Sequence, residues 1–87
     1  MKLIRAPIDM IAVFHKNEPP EPVRFRYQGD GKMWEIKVDK VVDLERRIYG
    51  NTMDYTYTCK SVIGRRQRVY EIRYNGQEVR WELYRTH

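Results

Sequence analysis

Cysteine, serine and histidine are nearly missing from this 87-residue chain, which holds only Cys59, Ser61, His15 and His87 of those types. A lone cysteine forms no internal disulfide, and CxxC or Cys/His metal spacings do not occur. Small secreted domains usually carry disulfide staples, so the cytoplasm is the expected compartment. Neither the hydroxyl nor the thiol has a histidine near it in sequence, so no nucleophilic constellation is legible and no enzymatic activity is expected. The glycine-bearing stretch Gly29-Asp30-Gly31-Lys32 lacks the spacing and the following helix of a phosphate loop, and no cofactor or metal is expected. Long apolar runs are also missing, so no helical membrane span and no membrane partner are expected. Met1 to Phe14 starts basic but has no continuous apolar stretch and no small-residue cleavage site, so it does not read as a signal peptide.

What is present is aromatic and alternating. Seven Tyr, two Trp and two Phe lie within a hydrophobic fraction of 41%, and large rings supply the buried area that a short single domain needs. Apolar residues recur at every second position in short runs between turn residues, the pattern of a small all-β domain. The runs are Ile8 to His15, closed by Pro19 and Pro20; Pro22 to Tyr27; Met33 to Asp39; Met53 to Lys60; Arg68 to Tyr74; and Val79 to Leu83. Lys40 to Tyr49 is ambiguous: a strand with a bulge or break, or a short helical turn capped by Asp39 and ended by Gly50. Gln28 to Lys32, Gly50-Asn51 and Gly64 to Gln67 read as hairpin turns, and Asn75-Gly76 as a type I′ turn. The expected fold is an antiparallel meander of about six strands, closing into a partly open SH3-like barrel over residues 1–87. Shared parity places Phe25, Trp34, Ile36, Tyr57, Ile72, Trp81 and Leu83 in its core, with Val79 also facing inward. Cys59 shares the apolar parity of Tyr55 and Tyr57 and reads as a buried, inert thiol.

Charge is unevenly placed. Residues 1–45 hold eight basic and eight acidic side chains, whereas residues 46–87 hold nine and four, and eight of those nine are arginine. The planar arginine fork suits phosphates and carboxylates. Arg65, Arg66 and Arg68 cluster at a hairpin tip, Arg46 and Arg47 precede a turn, and Arg73 and Arg80 are expected near one another across the last ladder. Glu35, Glu71 and Glu82 fall on outward parities opposite arginines and read as cross-strand ion pairs.

Three stretches carry a resemblance: Pro22 to Tyr27 (PVRFRY), Ile36 to Val41 (IKVDKV), and Tyr70 to Tyr84 with its closing Arg80-Trp81-Glu82-Leu83. Together they resemble a family of small uncharacterised bacterial, Clostridia-like, all-β proteins, from about Ile8 onward. The resemblance implies no established activity. The first and last stretches are also similar to small β domains found beside translesion DNA polymerases, which implies a DNA-linked role and assigns no residue.

The functional expectation is a binding module. Arginines that track phosphates, beside tyrosines that stack on bases, suit single-stranded DNA or RNA. The candidate residues are Arg65, Arg66, Arg68, Arg73, Arg80, Arg46, Arg47 and Tyr84, and Tyr49 and Tyr84 are the tyrosines expected to be exposed. An acidic protein partner is the alternative, and a solvated face that merely keeps the domain soluble is the plain one. The chain is expected to be a monomer or a dimer formed through an open edge strand.

Overall fold

Alternation at period two produces strands over nearly all of the chain. The computed structural model describes residues 2–87, apart from the side chain of Tyr49, whose expected exposure therefore lies outside the described residues. Seven strands form: β1 (Lys2–Val13), β2 (Glu21–Gly29), β3 (Lys32–Lys37), β4 (Lys40–Tyr49), β5 (Thr52–Ile63), β6 (Arg66–Asn75) and β7 (Arg80–Thr86). They make one antiparallel sheet in the order β3-β2-β1-β7-β6-β5-β4. The all-β expectation holds, and the ambiguous segment 40–49 is strand, with a bulge between Val41 and Asp43.

Two segments coil this sheet into a partly open barrel. The first half of β1 pairs with β7, from Lys2 opposite Thr86 to Ile8 opposite Trp81. Its second half pairs with β2, from Asp9 opposite Arg26 to Val13 opposite Glu21. Pro7 is tolerated within the strand because β2 pairing begins only at Asp9, so the missing N–H breaks no ladder there. The second segment joins β3 to β4. The Val38 N–H donates to Val23 O at 2.9 Å, and the next N–H, of Asp39, donates to Lys60 O at 3.1 Å. The chain thus passes from β2 to β5 between consecutive residues, and the two ends of the sheet meet.

Residues of inward parity fill the space so enclosed. Phe25, Tyr57, Cys59, Tyr70, Ile72, Trp81 and Leu83 are buried, with Ile8, Ile36 and Tyr74 beside them. The Trp81 ring lies 4.7 Å from Tyr74 and 5.6 Å from Tyr57, within the range where aromatic pairs attract. Three hydroxyl groups enter the core with partners. Tyr57 donates to Pro20 O, and Ser61 Oγ donates to Lys37 O at 2.6 Å. Since the serine proton is used there, Tyr70 donates to Ser61 Oγ across 2.5 Å. The resulting chain, Tyr70 to Ser61 to Lys37, ties β6 and β5 to the end of β3 at the closure.

Three expectations are corrected. Trp34 shares parity with Ile36 but is 39% exposed, because it sits near the start of an edge strand, where no strand lies across from it. Asn75-Gly76 is not a type I′ turn. Asn75 pairs with Arg80, leaving four residues between the strands, and Asn75 Oδ1 accepts from the N–H groups of Gln77 and Glu78, both at 3.0 Å. Val79 consequently leaves the strand at φ 53 and is 69% exposed. Type I′ geometry occurs instead at Asp30-Gly31 (φ 53 and 72) and Gly64-Arg65 (φ 57 and 74).

Candidate nucleic-acid interface

Along β6 one face changes character. Tyr74, Ile72 and Tyr70 point into the core, and the same parity continues through Arg68 and Arg66, which are exposed. Arg68 lies opposite Ser61, and Arg66 opposite Ile63. Partners in register share a face, so both guanidinium groups stand on the core side of the sheet, just beyond the end of the core. Arg65 caps this hairpin at φ 74. No carboxylate lies within 4 Å of Arg65, Arg66 or Arg68 among the described residues.

Across from this row the β2–β3 hairpin contributes rings. Counting outward from the Asp30-Gly31 turn, Tyr27 falls opposite Trp34 and Phe25 opposite Ile36. Between the two hairpins opens a cleft of about 330 Å³ at the mouth of the barrel, with Tyr27, Trp34, Ile63, Arg68 and Tyr70 on its walls. Asp30 and His87 also reach it, and Asp30 is its one carboxylate. The floor is therefore aromatic, with Arg68 on its wall, while Arg65 and Arg66 stand beyond it at the tip of the same hairpin. Trp34 and Tyr27 were assigned to the core or passed over by parity alone. The signal that locates them is the register set by a two-residue turn at Asp30-Gly31, which puts both rings near a hairpin end.

The remaining candidate residues are not at this mouth. Arg73 has the opposite parity in β6 and lies on the outer face, about 23 Å along the strand from Arg66 at 3.3 Å per residue. Its guanidinium carbon sits 3.5 Å above the Tyr84 ring, and its Nε donates to Thr56 Oγ1 at 3.3 Å. Arg85 lies 4.9 Å from the same ring and pairs with Glu71 at 3.1 Å. Arg73 and Arg80 lie near one another on one cleft, as expected, but diagonally: Arg73 pairs in register with Glu82, and Arg80 with Asn75, while Arg80 contacts Glu78 at 3.1 Å. These residues border a larger cleft of about 500 Å³ where Arg5, Arg73 and Arg80 are matched by Asp54, Glu78 and Glu82. That cleft is charge-balanced and does not favour an anion. Arg46 and Arg47 lie on β4, opposite Tyr55 and Asp54, with Arg47 Nε 3.5 Å from Glu45.

The nucleophile candidates are engaged or inaccessible. Ser61 spends its hydroxyl on Lys37 and Tyr70. Cys59 is 0% exposed, and burial pushes its thiol up to about 12, so at neutral pH it stays a protonated, shielded group. His15 is exposed, 3.9 Å from Glu21. No group of three His, Cys, Asp or Glu side chains positioned to hold a metal occurs among the described residues, and no helix there is long and apolar enough to cross a membrane. No family model, curated protein or solved structure matches the chain.

Proposed function

We propose that the domain binds single-stranded nucleic acid at the barrel mouth, with a base stacked on Trp34 or Tyr27 and phosphates held by Arg65, Arg66 and Arg68. The observation that carries this reading is the meeting of an exposed tryptophan and Arg68 on one cleft, with Arg66 and Arg65 following Arg68 toward the tip of its hairpin. Arginine next to an open aromatic floor serves a ligand that is anionic along its length and flat at intervals, which describes a single strand. A duplex keeps its bases paired and stacked, so its rings cannot enter a cleft of this shape. Small SH3-like barrels with open ends lend themselves to this use, and an unpaired thiol such as Cys59 suits a reducing cytoplasm.

The phosphate contacts make affinity fall with salt. Three contacts to a single strand correspond to a log–log slope of about −2. Stacking of one base on an aromatic side chain adds about 1–3 kcal/mol. Titration of labelled DNA and RNA oligonucleotides at several salt concentrations tests both terms. Reversing Arg65 and Arg66 to Glu should abolish binding and leave the fold intact, since neither side chain touches the core. Trp34→Ala should weaken binding and leave the salt slope unchanged. Absence of binding to any oligonucleotide at low salt would end this reading and put an acidic protein surface in its place.

A further inference from the structure

The strand β4 is the edge of the sheet on the β5 side, and every residue from Val41 to Ile48 is exposed. Its only backbone partner among the described residues is β5, so alternate N–H and C=O groups along its length point away from the protein. Four sizeable apolar side chains, Val41, Val42, Leu44 and Ile48, stand in solvent there, with Ile48 67% exposed. Natural sheets blunt such edges with charged side chains, proline, bulges or short strands; the charges here, Asp43, Glu45, Arg46 and Arg47, are of both signs and can pair across the edge instead of repelling. The bulge at Val41 and Asp43 blunts the edge at one end, but beyond it the segment from Asp43 to Tyr49 pairs regularly with β5 and holds neither proline nor glycine.

We infer that β4 is a self-association edge: two copies of this chain pair antiparallel through Asp43 to Tyr49, about a two-fold axis at Arg46. The occupant follows from the side chains. A symmetric pairing that uses the whole regular segment is centred on Arg46. It places Glu45 opposite Arg47 of the second copy, twice, on the outer face, and Leu44 opposite Ile48, twice, on the core-side face. Moving the register two residues one way sets Glu45 against Glu45 and Leu44 against Arg46; moving it the other way sets Arg47 against Arg47. Within one chain Glu45 and Arg47 already lie 3.5 Å apart, and in the pair this attraction extends across the axis. The one unfavourable opposition is Arg46 with Arg46, exposed and on long stems. The barrel mouth lies at the Ile63 end of β5, whereas β4 covers Thr52 to Lys60, so dimerisation leaves both mouths open.

Sedimentation of the intact chain at about 0.1 mM tests the inference, a concentration that reveals even micromolar association. The expected mass is twice the 10.7 kDa of the chain. Glu45→Arg and Arg47→Glu should each weaken the dimer at least tenfold by setting like charges opposite one another. An equimolar mixture of the two variants should recover it, because both 45–47 pairs are then of opposite sign. Arg46→Cys should crosslink to itself on oxidation, since opposed residues of an antiparallel pair stand about 4.5–5.5 Å apart, within disulfide reach. Leu44→Cys should not, because the register sets the two copies of that position four residues apart. A monomer at this concentration, or charge variants that dimerise as the parent does, would overturn the inference. Efficient self-crosslinking through Leu44→Cys instead of Arg46→Cys would overturn the register.

Discussion

Removing the Ser61 hydroxyl should open the barrel at the point where its two ends meet. Ser61 accepts from buried Tyr70 and donates to Lys37 O, so Ser61→Ala strands two polar groups with one change. The phenol is the more costly of the two, because it lies in the core and water cannot reach it. Lys37 is exposed in an edge strand, and its carbonyl can be rehydrated. A buried polar group left without a partner costs about 1–3 kcal/mol, which puts Ser61→Ala at about 2–3 kcal/mol. For a domain of this size that is roughly 10–20 °C in Tm. Tyr70→Phe removes only the donor and leaves Ser61 bonded to Lys37, so it should cost about 1 kcal/mol. The double variant no longer strands the phenol and should cost less than the sum of the two singles. Urea unfolding of the four proteins measures the cycle. A Ser61→Ala cost below about 0.5 kcal/mol, or strict additivity, would refute the idea that this hydroxyl chain holds the closure.

The two tryptophans should behave oppositely: Trp81→Ala should cost about 3–5 kcal/mol in chemical denaturation, because its ring is packed against Tyr57 and Tyr74, while Trp34→Ala should cost far less. Cys59 should react with a thiol reagent only at the rate of unfolding, and fast labelling would contradict its burial. Alkaline pH should destabilise the fold. Burial raises the Cys59 thiol from 9.0 to about 12 and also raises the Tyr57 and Tyr70 phenols, so the unfolded chain releases protons first. Stability is then full below pH 9 and falls above it, by up to about 1.4 kcal/mol per pH unit for each group, with the thiol responsible for the onset. Cys59→Ala should flatten the curve between pH 9 and 10, which urea unfolding as a function of pH would show.

Parity read from sequence located Tyr57, Cys59, Ile72, Trp81 and Leu83 correctly because each lies in a strand flanked by neighbours on both sides. Alternation states which face a side chain takes, but not what covers that face. Trp34 and Ile36 have the same parity, yet Ile36 lies over the closure and Trp34 over an open mouth. Likewise Arg66 and Arg68 share the parity of Tyr70, and only the end of the core separates ring from guanidinium. Asn75-Gly76 misled for a different reason. A two-residue turn there would set Tyr74 opposite Gln77, whereas the four-residue connection sets it opposite Trp81 and buries both rings. Core packing outweighed local turn preference. The charge split toward residues 46–87 was legible, but the division of its arginines between mouth, outer face and β4 edge depends on register and could not be read from spacing alone.

Intrinsic fluorescence during oligonucleotide titration tests the mouth reading most directly, because Trp34 is 39% exposed in the cleft and Trp81 is 8% exposed in the core. At low salt, a single-stranded oligonucleotide should quench the exposed tryptophan as a base stacks on it. The effect should vanish in Trp34→Phe, and it should weaken with salt in step with affinity. Saturable binding that leaves the Trp34 emission unchanged, or no binding at low salt at all, would contradict the account.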